Sequence, residues 1–196
     1  MFPPGQTRYA GFMPSDQQSV TAGSGSQGQA PGRPALSAQL LGLLVFLAAS
    51  ALTAALGGLA TANNVNGWYA AAEKAPWSPP NWLFGPVWTA LYIAMAVAAW
   101  LVWRSRVPGA RRALTVYAVQ LLLNLLWTPV FFGLYPAFGA PALWAAFGII
   151  VALAVAVAVT VLHFGPISRV AGLLLLPYLA WVLFASSLNL WAALYN

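Results

Sequence analysis

Residues 113–162 read ALTVYAVQLLLNLLWTPVFFGLYPAFGAPALWAAFGIIVALAVAVAVTVL and contain no charged side chain. A transmembrane helix needs about 20 predominantly apolar residues. The stretch is therefore too long for one membrane span and long enough for two. The sequence YPAFGAP at residues 135–141 divides it, because proline and glycine favour a turn. The stretch predicts two membrane-spanning helices, at about 113–134 and 141–162.

Three more spans follow from the charges that flank the other apolar stretches. No charge occurs between Arg33 and Glu73, Lys74 and Arg104 bracket a second stretch, and no charge follows Arg169. The predicted helices lie at about 36–60, 84–103 and 170–194. The predicted fold class is all-α, an integral membrane bundle of five transmembrane helices that occupies residues 36–196.

The composition supports a membrane protein and excludes several functions. Hydrophobic residues make up 61% of the chain and charged residues only 5%, whereas soluble domains average about 25% charged residues. Eight scattered cations form no stripe that could follow nucleic-acid phosphates, so we expect no nucleic-acid partner. One histidine and no cysteine predict no metal site and no required cofactor. The spans contain no acid or base for an ion-coupled pump.

The amino-terminal residues 1–35 differ from the rest of the chain. They are rich in Gly, Pro, Gln and Ser, which predicts a disordered tail. No apolar core of a cleaved signal peptide precedes the first span, so we expect that span to act as an uncleaved signal-anchor. A tail that recruits partner proteins is one hypothesis for its role.

The arginines predict the orientation in the membrane. Arg104, Arg106, Arg111 and Arg112 lie between the second and third spans, and Arg169 lies between the fourth and fifth. Short cytoplasmic loops carry an excess of Lys and Arg, so the amino terminus is predicted inside and the carboxy terminus outside. We expect a multi-pass protein of the bacterial cell membrane. The four-arginine cluster is interpreted as a topological anchor, with a lipid-phosphate site as the alternative.

The first external loop, predicted at residues 61–83, is rich in aromatic residues and proline. It contains Trp68, Tyr69, Trp77 and Trp82. Proline fixes φ and lowers the entropy cost of ordering a loop. The loop is interpreted either as a lid over the helix ends or as part of the aromatic belt at the membrane interface.

Aromatic and amide side chains gather in the outer half of the spans. At a rise of about 1.5 Å per residue, the outer half contains Trp88, Asn124, Trp127, Phe131, Trp144, Trp181, Ala185 and Asn189. Spacings of three and four residues place the residues of one span on one face, and Pro129 is predicted to kink the third span and open space. Because these aromatic and amide side chains meet in the outer half of the bundle, the sequence predicts an aromatic cavity suited to a flat hydrophobic ligand.

The same asparagines and tryptophans can also be interpreted as purely structural residues. Each asparagine either joins two helices by a hydrogen bond or faces a polar edge of a ligand, because an unmet amide in hydrocarbon is costly. Each tryptophan either packs in the core or contacts a ligand. His163 lies at the inner end of the fourth span, so we do not expect it to ligate haem iron.

Several spaced motifs resemble the TspO/MBR family, which comprises the tryptophan-rich sensory proteins of bacteria and the mitochondrial translocator protein, once called the peripheral-type benzodiazepine receptor. The motifs are Trp68-Tyr69, Lys74-Ala75-Pro76-Trp77-Ser78-Pro79-Pro80, Pro86-Val87-Trp88 with Leu91-Tyr92, Gln120, Asn124, Trp127, Pro129, Phe131-Phe132-Gly133, Pro177-Tyr178-Leu179-Ala180-Trp181 and Leu188-Asn189. The resemblance covers about residues 36–196.

The resemblance implies a five-helix bundle, often a homodimer, with a pocket beneath the first loop. It implies porphyrins such as protoporphyrin IX, haem, and hydrophobic molecules including cholesterol and isoquinoline carboxamides as ligands. The positions that match the family's pocket are Trp88, Asn124, Trp127, Trp181, Ala185, Leu188 and Asn189, and those that match its lid are Trp68 and Trp77. With Tyr69, Phe131 and Trp144 added, these form the predicted ligand-binding set.

The predicted function is that of a membrane receptor, sensor or transporter for porphyrins and other apolar ligands, sterols included. No cation follows Arg169, so the sterol motif expected late in the fifth span is absent. The alternative is an enzyme that degrades porphyrin in light and oxygen, with Trp77, Trp127 and Trp144 as the candidate redox residues.

Overall fold

The computed structural model describes residues 35–196, so the predicted tail lies outside the described residues except for its last one. The described part contains five long helices, two short helices and one π-helical turn, and no strand. The long helices are α1 (Leu36–Val65), α3 (Asn81–Ser105), α4 (Ala110–Thr128), α6 (Ala140–Ile167) and α7 (Arg169–Tyr195). The short helices are α2 (Trp68–Ala71) and α5 (Tyr135–Phe138), and the π-helical turn Pro129–Gly133 continues α4.

Five segments are long and apolar enough to cross a membrane, which confirms the predicted fold class. The helices begin and end a few residues outside most of the predicted bounds; α1, for example, continues to Val65 and α6 to Ile167. The bounds predicted from the sequence mark only the apolar stretch of each helix. Helical hydrogen bonding continues into the flanking residues, because a helix does not need an apolar side chain at every position.

The long helices form a ring in the order α1, α3, α7, α6 and α4, in which each helix packs against the next. Two glycines let α6 and α7 approach each other closely. A Cβ atom added at Gly172 of α7 would lie 3.0 Å from the Cα of Gly165 in α6. The core between the helices contains the fully buried Met95, Phe164 and Tyr178.

The end of the bundle that carries the α3–α4 connection, here called the arginine loop (residues 104–112), is tightly packed. The Trp100 Nε1 donates a hydrogen bond of 2.8 Å to the Gln39 carbonyl of α1. Gly42 of α1 accommodates the Trp103 ring, which would lie 2.5 Å from an added Cβ. The Arg104 guanidinium lies 4.4 Å from the centre of the Trp100 ring. The contacts of Trp100 with Gln39 and of Trp103 with Gly42 join α1 to α3 at this end of the bundle.

Candidate functional site

A cavity of about 410 Å³ lies between α1, α3, α4 with its π-helical turn, and α7. This volume is within the range of about 300–1,000 Å³ that is usual for small-molecule sites. The lining residues are Ala54, Gly57, Gly58, Thr61, Val65, Tyr69, Asn81, Phe84, Gly85, Trp88, Thr89, Tyr92, Asn124, Trp127, Thr128, Phe131, Phe132, Trp181, Ala185, Leu188 and Asn189. None of these residues carries a charge.

Most of the predicted ligand-binding residues line this cavity. They are Tyr69, Trp88, Asn124, Trp127, Phe131, Trp181, Ala185, Leu188 and Asn189. The remaining three, Trp68, Trp77 and Trp144, do not line the cavity; of these, Trp68 and Trp77 are the residues that the family resemblance assigns to the lid.

Trp144 lies outside because of its position around the helix axis. It is 46% exposed on α6, and its ring packs edge-on against Phe147, 6.0 Å away between ring centres. The preceding residue, Leu143, is fully buried instead. Counting the rise per residue gives the depth of a side chain in a bundle, and it does not tell which side of the helix faces the neighbours.

The wall formed by α1 was missed by the sequence prediction. Ala54, Gly57, Gly58 and Thr61 line the cavity at i, i+3, i+4 and i+7, which is one helical face. Added Cβ atoms would meet only Thr128, at 3.5 Å from Gly57, and nothing within 4 Å of Gly58. Small residues leave room for a ligand but carry no functional group that marks a binding site in the sequence. The one feature that could have predicted this wall is the spacing of small residues on one helical face.

Aromatic rings provide the other walls. Trp127 stacks on Phe131 with 5.3 Å between ring centres and an interplanar angle of 25°. Trp181 meets the edge of Phe84 at 5.7 Å, and Trp88 lies 6.2 Å from Tyr178. These separations are those of favourable aromatic pairs. The rings therefore support one another in the cavity wall.

The π-helical turn begins at Pro129, where the sequence predicted a kink. Proline has no N–H to donate to the preceding turn, and π-helical turns often occur at functional sites. Two consecutive residues of this turn, Phe131 and Phe132, line the cavity.

The two buried asparagines join helices. The Tyr92 hydroxyl donates to Asn124 Oδ1 at 2.7 Å, and Asn124 Nδ2 donates to the Tyr178 hydroxyl at 2.9 Å. Asn124 is 2% exposed, so it links α3, α4 and α7 rather than offering its amide to a ligand.

Asn189 is engaged in the same way. The Trp127 Nε1 donates to Asn189 Oδ1 at 2.9 Å, and Asn189 Nδ2 donates to the Leu143 carbonyl at 3.0 Å. This amide therefore joins α4, α6 and α7. Of the two sequence interpretations, the interhelical hydrogen bond is the one that the structure shows for both asparagines.

Two indoles of the cavity wall make no hydrogen bond. Trp88 and Trp181 line the cavity, and neither donates a hydrogen bond within the described part of the chain. The Trp181 Nε1 is enclosed by protein atoms. An unpaired buried donor costs free energy, and a ligand would reach this N–H only if neighbouring side chains moved.

The first loop spans residues 66–80 in the structure, because α1 and α3 extend into the predicted loop. Trp68 attaches it to the π-helical turn, since its Nε1 donates to the Phe132 carbonyl at 2.8 Å and its ring stacks on Tyr135 at 3.9 Å. Trp77 attaches it to α7, since its Nε1 donates to Ser187 Oγ at 3.2 Å. Both tryptophans hold the loop and do not line the cavity.

A third attachment joins the loop to Asn196. The Glu73 N–H donates to Asn196 Oδ1 at 2.7 Å, and Asn196 Nδ2 donates to the Glu73 carbonyl at 3.1 Å. Tyr69 is the loop residue that lines the cavity. Burial raises the pKa of its hydroxyl above the usual range, so the hydroxyl is neutral at physiological pH.

His163 is engaged away from this site. Its Nδ1 lies 2.8 Å from the Val159 carbonyl, in hydrogen-bond contact, and it does not line the cavity. Within residues 35–196, no group of His, Cys, Asp and Glu side chains could hold a metal ion.

Comparison with known proteins places the chain in a family. The TspO/MBR family model matches residues 44–194. The tryptophan-rich protein TspO of Archaeoglobus fulgidus is 42% identical over 133 residues, which cover 68% of this chain and 82% of that protein. The tryptophan-rich sensory protein of Cereibacter sphaeroides is 38% identical over 146 residues, 74% of this chain and 85% of that protein.

A mammalian relative gives a similar match. The translocator protein of Sus scrofa is 37% identical over 145 residues, which cover 70% of this chain and 82% of that protein. The family match includes every residue that lines the cavity, from Ala54 to Asn189. The chain is an integral multi-pass membrane protein and belongs to the TspO/MBR family.

Proposed function

We propose that this membrane protein is a receptor, sensor or transporter that binds porphyrins, such as protoporphyrin IX or haem, and other flat apolar ligands in the cavity. The observation that carries the proposal is the convergence of Trp88, Trp127 and Trp181 on one cavity of about 410 Å³ without a charged lining residue. A flat conjugated ligand stacks on indoles and buries apolar surface against them. Burial is worth about 25 cal/mol per Å².

The names of the relatives support a binding function rather than a catalytic one. They are named sensory proteins and translocator proteins, names that describe signalling and movement. The cavity contains no acid or charged base that could carry acid–base catalysis. Binding coupled to signalling or to movement across the membrane is therefore the function that this site supports best.

Porphyrin titration tests the site. Protoporphyrin IX added to the purified protein should quench tryptophan fluorescence saturably. Trp88→Ala with Trp181→Ala should weaken binding by at least about tenfold, because an aromatic pair contributes about 0.5–1.5 kcal/mol beyond its buried area. Trp144→Ala is the matched control, since Trp144 lies outside the cavity. Unchanged affinity in the double variant would refute the site.

Sterols and a homodimer are further proposals of the same kind. The apolar lining suits a sterol ring system, and competition between cholesterol and protoporphyrin IX would show whether both occupy this cavity. Mass measurement of the protein in detergent would show whether the bundle assembles as a homodimer, which the family resemblance implies.

Light- and oxygen-dependent degradation of porphyrin is a second candidate function. Of the three candidate redox residues, Trp127 alone lines the cavity, and its indole is fixed by Asn189. The test is to illuminate the complex in the presence of oxygen and to follow the Soret band of the porphyrin. Loss of the band that continues in Trp127→Phe at the wild-type rate would argue against an enzymatic role for this residue.

A further inference from the structure

The cations of the described residues are divided between the two ends of the bundle. Arg104, Arg106, Arg111, Arg112 and Arg169 lie in or next to the α3–α4 and α6–α7 connections, away from the cavity. Within residues 35–196, Lys74 is the one cation in the first loop, at the cavity end.

The backbone beside Lys74 is held on both sides. On one side, Glu73 exchanges two hydrogen bonds with the Asn196 side chain, of 2.7 and 3.1 Å. On the other, Ala75 is 5% exposed, and its carbonyl accepts a hydrogen bond of 2.8 Å from the Ser78 N–H. These attachments give Lys74 a defined position although it lies in a loop.

The Lys74 side chain contacts a residue of the cavity wall. Its Nζ is 5.2 Å from the centre of the Tyr69 ring, and Tyr69 lines the cavity. No acidic side chain pairs with Lys74 among the described residues; the neighbouring Glu73 is exposed. The ammonium is therefore one side chain away from the cavity and forms no ion pair within residues 35–196.

Neutral donors lie at the same end. Asn81 begins α3, lines the cavity and is exposed, and its amide makes no hydrogen bond within the described part of the chain. The Tyr69 hydroxyl, which is neutral at physiological pH, also makes none. Among residues 35–196, the first loop and the start of α3 thus present one cation that forms no ion pair and two hydrogen-bond donors, with the exposed Glu73 as the neighbouring acid. Such a set suits a carboxylate.

On the basis of the proposed function, we propose that Lys74 is a specificity residue, which selects ligands that carry a carboxylate at the edge of a flat apolar body. The apolar body occupies the aromatic cavity. A carboxylate cannot follow it inward without losing its hydration, because no lining residue carries a charge and burying an unpaired charge is costly. The carboxylate therefore remains at the cavity end, where the Lys74 ammonium attracts it.

Protoporphyrin IX and its dimethyl ester test this directly. They share one macrocycle, and the ester lacks the two carboxylates. Both are titrated into wild type, Lys74→Met and Lys74→Arg in nanodiscs of zwitterionic lipid. We expect Lys74→Met to bind the diacid about fivefold more weakly and the ester unchanged, since a partly exposed ion pair has this magnitude. Lys74→Arg should retain the preference for the diacid, and added salt should reduce it.

Arg112→Met is the matched control, because this exposed arginine lies at the other end of the bundle; it should leave both affinities unchanged. Wild-type affinity of Lys74→Met for the diacid would overturn the inference and leave the proposed function standing. Equal losses for diacid and ester would also overturn it, because they would show that Lys74 only holds the loop. Failure of wild type to bind either compound would overturn the proposed function as well.

Discussion

At the scale of single residues, the polar groups of the cavity have two different roles. The asparagine amides form interhelical hydrogen bonds, whereas the indoles of Trp88 and Trp181 form none within the described residues. We therefore expect the stability of the bundle to depend on the amides, and we propose that ligand affinity depends on the indole rings.

Asn124→Leu should destabilise the bundle, because the Tyr92 and Tyr178 hydroxyls would both lose their partner. Hydrogen bonds between membrane helices contribute about 0.6–2 kcal/mol each, so we expect the thermal unfolding midpoint in detergent to fall by several degrees. Asn81→Leu is the control, since Asn81 is exposed and forms no such bond. Equal midpoints for Asn124→Leu and wild type would contradict the assigned role.

At the scale of helices, close approach depends on glycine at α6 and α7. An added Cβ at Gly172 would lie 3.0 Å from the Gly165 Cα and 3.2 Å from its N, and backbone atoms cannot move aside as a flexible side chain can. The two helices would separate, and overpacking of this kind costs about 1–3 kcal/mol.

Gly172→Ala should therefore lower the unfolding midpoint, whereas Gly148→Ala should not. Gly148 lies on α6 with no atom within 4 Å of an added Cβ, so alanine there gains helix propensity without a clash. Thermal unfolding of both variants in the same detergent measures the difference. A midpoint for Gly172→Ala at or above that of Gly148→Ala would contradict the close packing.

The helices were predictable from the sequence, and so were nine of the 21 residues that line the cavity. Charge-free stretches define the five spans because hydrocarbon excludes charge, and residue spacing places Trp127 and Trp181 at similar depth. Rotation about the helix axis depends on packing between helices, which explains the misplaced Trp144. The wall of α1 depends on Gly57 and Gly58, whose contribution is the absence of a side chain.

At the scale of the whole molecule, the charge distribution gives the two ends different roles. At the end that carries the α3–α4 connection, α1 and α3 are joined by contacts. At the cavity end, the first loop is attached at three places, and among residues 35–196 its one cation, Lys74, lies over the Tyr69 ring. The predicted orientation places the cavity end outside. Ligand would then meet the protein from the outer side of the membrane or from its outer leaflet.

Cysteine labelling tests this orientation, because the chain contains no native cysteine. Ala137→Cys introduces a thiol at an exposed site between α4 and α6, and Pro108→Cys introduces one at an exposed site in the arginine loop. A maleimide that cannot cross membranes should label Ala137→Cys in intact cells. It should label Pro108→Cys only after permeabilisation. The opposite labelling pattern would show that the cavity end faces inward.

The central claim is that the aromatic cavity is the porphyrin site, and a structure of the reconstituted protein with protoporphyrin IX tests it most directly. We predict the macrocycle between the indoles of Trp88, Trp127 and Trp181, with Tyr69 at the edge of the ligand. A porphyrin bound on the outer surface of the bundle, with these rings in their present contacts and no ligand among them, would contradict the claim.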